Sequence, residues 1–304
     1  MNETRARRPL EGLTVVITGS RRASEQAALV SSLGGTPYVV PTVGISLPPA
    51  DSEVEPFLRK VASAEGADYV VFMTATGVRA LLLAAERLGV RDSVCAALNR
   101  TRTVVVARSG KPKGELSRHG IKVDATPPRE EATASGIAKL LLKRGVEGKS
   151  IAILWHGSAD EATARELLAA GAREVTGCMA YHYSRELAEE GAEVLGSMGF
   201  KYESPEQAEV LNLVREISGG GRRIDAITFT SPPAAGNLVE IAAEHGLEKG
   251  LIEGIRRGGI VVAAVGSSTR EELEGYGIDV QVVPEVAAMG AMMNALGAYM
   301  SRRG

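Results

Sequence analysis

The second half of this chain repeats the first, and that repetition restricts its fold more than any other feature. Short apolar runs alternate with helical stretches, as expected of βα units on a mostly parallel sheet. The opening unit reads as a strand over Leu13–Thr18, a helix through Ala27–Leu33, a stop at Gly34-Gly35 and a strand over Tyr38–Val43. Lys149–Tyr183 repeats it, with a helix over Ala162–Ala170, a stop at Gly171 and a strand over Glu174–Tyr181. Ala67–Thr74 (ADYVVFMT) matches Ile224–Thr230 (IDAITFT), each with a leading Asp and each entering an Ala/Leu-rich helix that ends at Gly89 or Gly246. A third pair sets Val104–Asp124 against Val262–Asp279, and both members lead into a proline-marked loop and a final helix. The order is A-B-C-A'-B'-C', a tandem duplication.

Each half holds about five strands, the number in a flavodoxin-like doubly wound sheet. The expected fold is therefore α/β, with two such parallel-sheet domains, and 304 residues suffice for both. Ligands of these sheets sit outside the carboxyl ends of the strands, where turns and helix N-termini expose backbone N–H groups. A net charge of −2 gives no whole-chain attraction to nucleic acid or anionic lipid, so affinity for a charged ligand must be local. The basic stretches Arg5–Arg8 and Arg302-Arg303 read as solvated tails. Two cysteines, Cys95 and Cys178, make neither a disulfide framework nor a zinc site, and a reducing cytoplasm fits them. No segment approaches the ~20 apolar residues of a membrane span, and neither export nor membrane insertion is expected.

Function should lie in the turns after the strands. In the second half, Thr230-Ser231-Pro232-Pro233 and Gly266-Ser267-Ser268-Thr269 each open a helix. Their hydroxyls either cap the helix or leave its N–H groups to an anion, and sequence alone keeps both readings open. The first-half counterparts are Met73-Thr74-Ala75-Thr76-Gly77 and Arg108-Ser109-Gly110-Lys111-Pro112-Lys113, where cations partly replace hydroxyls. Gly19-Ser20-Arg21-Arg22 adds cations at another helix start, and its partner Trp155-His156-Gly157-Ser158 holds the only tryptophan. His156 titrates near neutrality but has no carboxylate at a telling spacing. Paired carboxylates such as Glu130-Glu131 lie in polar contexts, and no nucleophile–base or metal arrangement emerges. These residues describe a two-domain binder of an anion and stop short of a reaction.

At these turns the chain resembles the uroporphyrinogen-III synthase family. The likeness is carried by the opening unit ending at Pro41, Asp225–Ser231 (DAITFTS), Gly266–Thr269 followed by Leu273 and Gly277, and Tyr181 after the Gly171-Ala172 turn, and it spans Leu13–Tyr299. It implies an exchanged layout, with one domain at 12–41 and 186–304, the other at 48–180, and two extended linkers near 42–47 and 181–185. It also implies cyclisation of hydroxymethylbilane, with inversion of the last pyrrole ring, in a cleft that binds acetate and propionate groups. No metal or organic cofactor is implied. Carried over, the substrate-binding positions are Thr74, Ser231, Ser268 and Thr269, and the catalytic candidate is Tyr181; Lys111 joins the substrate-binding candidates for its charge alone, which either pairs with a ligand carboxylate or belongs to a solvated surface cluster. The sequence departs from the family at Ala75 (usually Ser), Lys111 (Thr), Gly19 (Arg) and His156 (Arg), and Leu187–Leu213 is longer than usual. Gly110-Lys111-Pro112-Lys113 and His156-Gly157 instead resemble a branch fused to a winged-helix DNA-binding domain. That motivates the alternative of a non-catalytic tetrapyrrole sensor, although no nucleic-acid partner is expected of this chain, which should be a monomer.

Overall fold

A computed structural model describes residues 8–49, 52–199 and 201–303. The chain opens with β1 (Thr14–Ile17), α1 (Ala23–Ser32), β2 (Thr36–Val39) and β3 (Gly44–Ser46). There follow α2 (Val54–Ala62), β4 (Tyr69–Phe72), α3 (Ala75–Arg87), α4 (Arg91–Leu98), β5 (Val104–Ala107) and α5 (Gly110–Arg118). Next come α6 (Ala134–Arg144), β6 (Ser150–Leu154), α7 (Glu161–Ala169), β7 (Glu174–Cys178) and β8 (His182–Ser184). The remainder is α8 (Glu189–Ser197), α9 (Gln207–Gly219), β9 (Ala226–Phe229), α10 (Pro232–Glu244), α11 (Glu248–Arg257), β10 (Val261–Ala264), α12 (Ser267–Gly275) and α13 (Met289–Arg303).

These elements fall into two compact units, Met1–Ile45 with Tyr183–Gly304, and Ser46–His182. The first unit holds a parallel sheet of order β10-β9-β1-β2 and the second one of order β5-β4-β6-β7, while β3 and β8 pair as a two-stranded ribbon. The fold is thus α/β with two parallel sheets in flavodoxin-like order. Strand alternation divides the apolar residues of the first unit between two layers. Val15 and Ile17 of β1 pack with Val30, Met292 and Leu296 on one face, and Val16 packs with Leu213, Phe229 and Leu238 on the other. In the second unit Val71, Ile151 and Ile153 meet Ile137, Leu141 and Leu167.

Each sheet has four strands rather than the expected five. The fifth position is a single parallel bridge, Val106 to Ala125 in one unit and Ala263 to Val282 in the other. Side chains take over part of the ladder there: Val105 N–H donates to Asp124 Oδ2 at 2.9 Å, and Val262 N–H donates to Gln281 Oε1 at 2.8 Å. Pro127 and Pro284 then follow, and proline has no N–H with which to extend pairing. The leading Asp of each B repeat has the same kind of duty, since Asp68 and Asp225 accept the N–H groups of Ser150 and Thr14, both at 2.9 Å. β7 stops at Cys178, three residues short of the expected end, so Tyr181 lies in the turn beyond it. The long stretch between A' and B' contributes α8 and then Lys201–Glu203. The latter runs across the turn after β1, with Arg22 N–H donating to Lys201 O and Glu203 N–H to Ser20 O, both at 3.1 Å.

Of the basic ends, residues 5–7 lie outside the described residues. Arg302 and Arg303 are a correction: they form the last turn of α13 rather than a tail, and Arg303 Nη1 donates to Gly259 O at 2.8 Å. A 480 Å³ hollow lined by Arg8, Arg223 and Arg303 lies beside Leu13 and Asp225, at the amino ends of the first unit's strands. Cations suit a helix C-terminus such as that of α13, where the dipole is negative. Among the described residues, no helix is long and apolar enough to cross a membrane, and no group of three or more His, Cys, Asp or Glu residues could hold a metal ion.

Candidate functional site

All four strands of the second unit's sheet send a residue to its carboxyl edge: Thr74 after β4, Arg108 after β5, Trp155 and His156 after β6, and Tyr181 beyond β7. Thr74 has extended backbone angles (φ −140°, ψ 153°) and caps α3, its Oγ1 accepting the Gly77 N–H at 3.0 Å. The same Oγ1 stands 3.3 Å from the hydroxyl of Tyr181, and that hydroxyl is 2.8 Å from His156 Nδ1. Tyr181 is 4 % exposed, so the contact is made out of bulk water. Burial first, and then the nearby Arg108 guanidinium, lower the His156 pKa to about 4, leaving a neutral imidazole at physiological pH.

The local sequence builds this arrangement. Gly157 has φ 78°, a left-handed angle that favours glycine, and it lets the chain reverse so that His156 and Ser158 bridge each other. Beneath the turn, the buried Trp155 indole lies over Gly177 of β7, where a Cβ would collide with its ring nitrogen. His156 is therefore carried on a tight turn whose base is wedged into the sheet.

The matching edge of the first unit is organised differently. Ser231 is the N-cap of α10 in extended conformation (φ −161°), but its side chain makes no capping bond. Pro232 and Pro233 follow at the first helical positions and have no N–H to offer, while Ala234 N–H returns to Ser231 O at 3.2 Å. The α10 start is thus a poorer anion site than its hydroxyls alone suggest. Gly266 caps α12; Ser268 is exposed, and Thr269 is buried at 2 % exposure. Lys111 occupies the equivalent of the Ser268 position, exposed in the first turn of α5, and buried Pro112 answers to Thr269. Gly19 is tight against Thr230, whose Oγ1 would lie 2.5 Å from an added Cβ. Arg22 is spent locally, its Nε donating to Glu25 Oε2 at 2.8 Å.

Of the sequence-derived candidates, Thr74 and Tyr181 are in direct contact. Ser231, Ser268 and Thr269 belong to the first unit, and Lys111 to the second. His156 stood out in the sequence as an isolated titratable group and as a departure from the family pattern, with no partner indicated. Its partnership with Tyr181 had no spacing signal, because the two are 25 positions apart with α7 between them.

Comparison with known proteins fits this geometry. Residues 24–294 match the family described as uroporphyrinogen-III synthase HemD. An uncharacterized Bacillus subtilis protein, YjjA, is 29% identical over 294 residues, covering 97% of this chain and 98% of its own. A Methanothermobacter thermautotrophicus protein that carries uroporphyrinogen-III synthase as a provisional name is 31% identical over 281 residues, covering 92% and 95%. Among solved structures, a mutant uroporphyrinogen III synthase from Thermus thermophilus superposes with a TM-score of 0.65 at 22% identity, covering 96% of this chain and all of the other, a likeness of fold. The sequence match over most of its length establishes that the chain belongs to the uroporphyrinogen-III synthase HemD family.

Proposed function

We propose that the protein is a uroporphyrinogen-III synthase, converting hydroxymethylbilane to uroporphyrinogen III with inversion of ring D and without a metal or organic cofactor. The observation that carries the reading is the buried Tyr181 hydroxyl, held between Thr74 and His156 at the carboxyl edge of a parallel sheet. In this reaction the hydroxyl of the linear tetrapyrrole departs as water once protonated, leaving a cationic azafulvenium that ring D attacks through its substituted carbon; a proton is later lost from carbon on ring closure. Tyr181 would give its proton to the departing oxygen, which leaves as water. The substrate's acetate and propionate groups would be met by N–H groups at the starts of α3, α5 and α12, by the hydroxyls of Thr74, Ser231 and Ser268, and by Lys111. Buried Thr269 would act through its backbone N–H. The rest of the rate enhancement is conformational, from holding a flexible chain with ring D facing the reactive carbon.

Incubation with synthetic hydroxymethylbilane, followed by separation of the product isomers, tests this reading. Type III product is expected from the parent, and Tyr181→Phe should lose it by about a hundredfold or more. A second reading, a non-catalytic tetrapyrrole sensor, is favoured by the prolines that remove two N–H donors from the α10 start. It predicts tetrapyrrole binding together with only the spontaneous type I isomer.

A further inference from the structure

The first unit carries a 430 Å³ hollow at the amino ends of β9 and β10, formed by the last turn of α9, the glycine run Gly219–Gly221 and the last turn of α11. Its volume falls within the range of about 300–1,000 Å³ typical of small-molecule sites. Two of its lining atoms lack donors: Glu216 Oε2 and Ser218 Oγ are both buried and make no hydrogen bond among the described residues. Glu216 Oε1 faces Arg222 Nε at 3.6 Å. Burial first, and then the Glu216 carboxylate, raise the pKa of Tyr38, but that phenol makes no hydrogen bond to Oε2. Both α9 and α11 end at this hollow, and the carbonyls left over at a helix C-terminus, with the negative end of its dipole, favour a cation.

Three guanidinium groups line the same hollow. Arg222 is stacked over the Tyr38 ring at 4.2 Å, Arg223 Nε donates to Asp225 Oδ1 at 2.9 Å, and Arg257 closes α11. A guanidinium has five N–H donors, so these contacts leave most of them for an anion. An inorganic anion would answer the arginines and leave Glu216 Oε2 and Ser218 Oγ unsatisfied, whereas a simple amine would do the reverse. A ligand with an ammonium group and more than one carboxylate answers both. We propose that this hollow binds a small amino dicarboxylic acid, of the size of aspartate or glutamate. Its ammonium donates to Glu216 Oε2 and Ser218 Oγ, and its carboxylates accept from Arg223 and Arg257. Gly219 and Gly220 have nothing within 4 Å of an added Cβ, so the chain leaving α9 presents bare backbone to open space. The site belongs to a different unit from Tyr181 and does not depend on the catalytic reading.

Calorimetric titration of the full chain with L-glutamate and L-aspartate should give a single saturable site for at least one of them. Glutarate, which has two carboxylates but no ammonium, should bind at least about tenfold more weakly, because it leaves both acceptors unpaired. Glu216→Gln should weaken the amino acid about tenfold or more without weakening glutarate, and Arg257→Gln should weaken both. Backbone amide shifts of the parent need no variant to fold, and on adding the amino acid they should change at Gly219–Gly221 and Gly258. Absence of saturable binding of either amino acid would overturn the proposal and leave the hollow to water. Glutarate binding as tightly as glutamate would make the arginines a patch for anions alone, and amide shifts confined to residues outside the hollow would put the ligand elsewhere. Either result would equally overturn it.

Discussion

His156 couples the candidate site to the stability of the fold, because its depressed pKa is also a statement about folding. Above pH 6.5 the imidazole is neutral in both the folded and the unfolded chain and contributes no pH dependence. As pH falls below 6.5, the unfolded chain takes up the proton first, so the folded state loses stability until the native imidazole protonates at about 4. The difference amounts to about 3 kcal/mol. Urea unfolding of the parent and of His156→Asn at neutral pH and near pH 4 should show the variant losing less stability by about that amount, and parallel pH profiles would count against it. Individual residues were unevenly legible in the sequence. Thr74 and Tyr181 stood out through family likeness, and the leading Asp of each B repeat through internal likeness. The pairing of Tyr181 with His156 was hidden, because it arises from two strands becoming neighbours in the sheet.

Helix α10 shows how one element can serve two crossings of the chain. Thr42, on the outgoing segment, donates from Oγ1 to Ala234 O at 2.7 Å, and Asn237 Nδ2 donates to both Thr42 O at 2.7 Å and Ser184 O at 3.2 Å. On the returning segment, Arg185 reaches Glu240 at 2.7 Å and Glu244 at 2.5 Å. The two kinds of contact should not count equally. Asn237 is half-buried, and its loss leaves two carbonyls short of a donor, so Asn237→Ala should destabilise the protein by about 1–3 kcal/mol. Both Arg185 partners are more than half exposed, and Arg185→Ala should cost under about 1 kcal/mol. Denaturant midpoints of the two variants compare them directly, and a larger effect for Arg185→Ala would reverse the ranking. Elements were legible where periodicity and glycine stops marked them, as in α1, α3 and the B strands. They were misjudged where pairing rather than propensity decides the end of a strand. The apolar run leading to Tyr181 continues past the last ladder bond of β7, and the fifth strands shrink to bridges because Asp124 and Gln281 side chains replace backbone partners.

At the scale of the whole molecule, the second unit is one uninterrupted stretch, Ser46–His182, whereas the first is assembled from both ends of the chain. The interrupted unit owes its sheet to pairing of β1 with β9, and the uninterrupted one has its own apolar core. A fragment of residues 46–182 should therefore unfold cooperatively on its own, while residues 183–304 should not, since they lack the central β1. Circular dichroism melts of the two fragments would decide this, and a cooperative transition in the second would contradict it. Duplication made both sheets legible in the sequence, but the exchange of repeats between them leaves no trace in periodicity and followed only from family likeness. The interruption also sets an order of events during synthesis. Thr14 is made 211 residues before Asp225, whose carboxylate receives its N–H. At ribosomal speeds that is a wait on the order of ten to forty seconds. During that interval the second unit can fold while Val15, Val16 and Ile17, buried in the finished protein, have β2 on one side but lack β9 on the other. One edge of β1 in the newborn N-terminal segment thus stays open to chaperones, proteases and aggregation until β9 arrives.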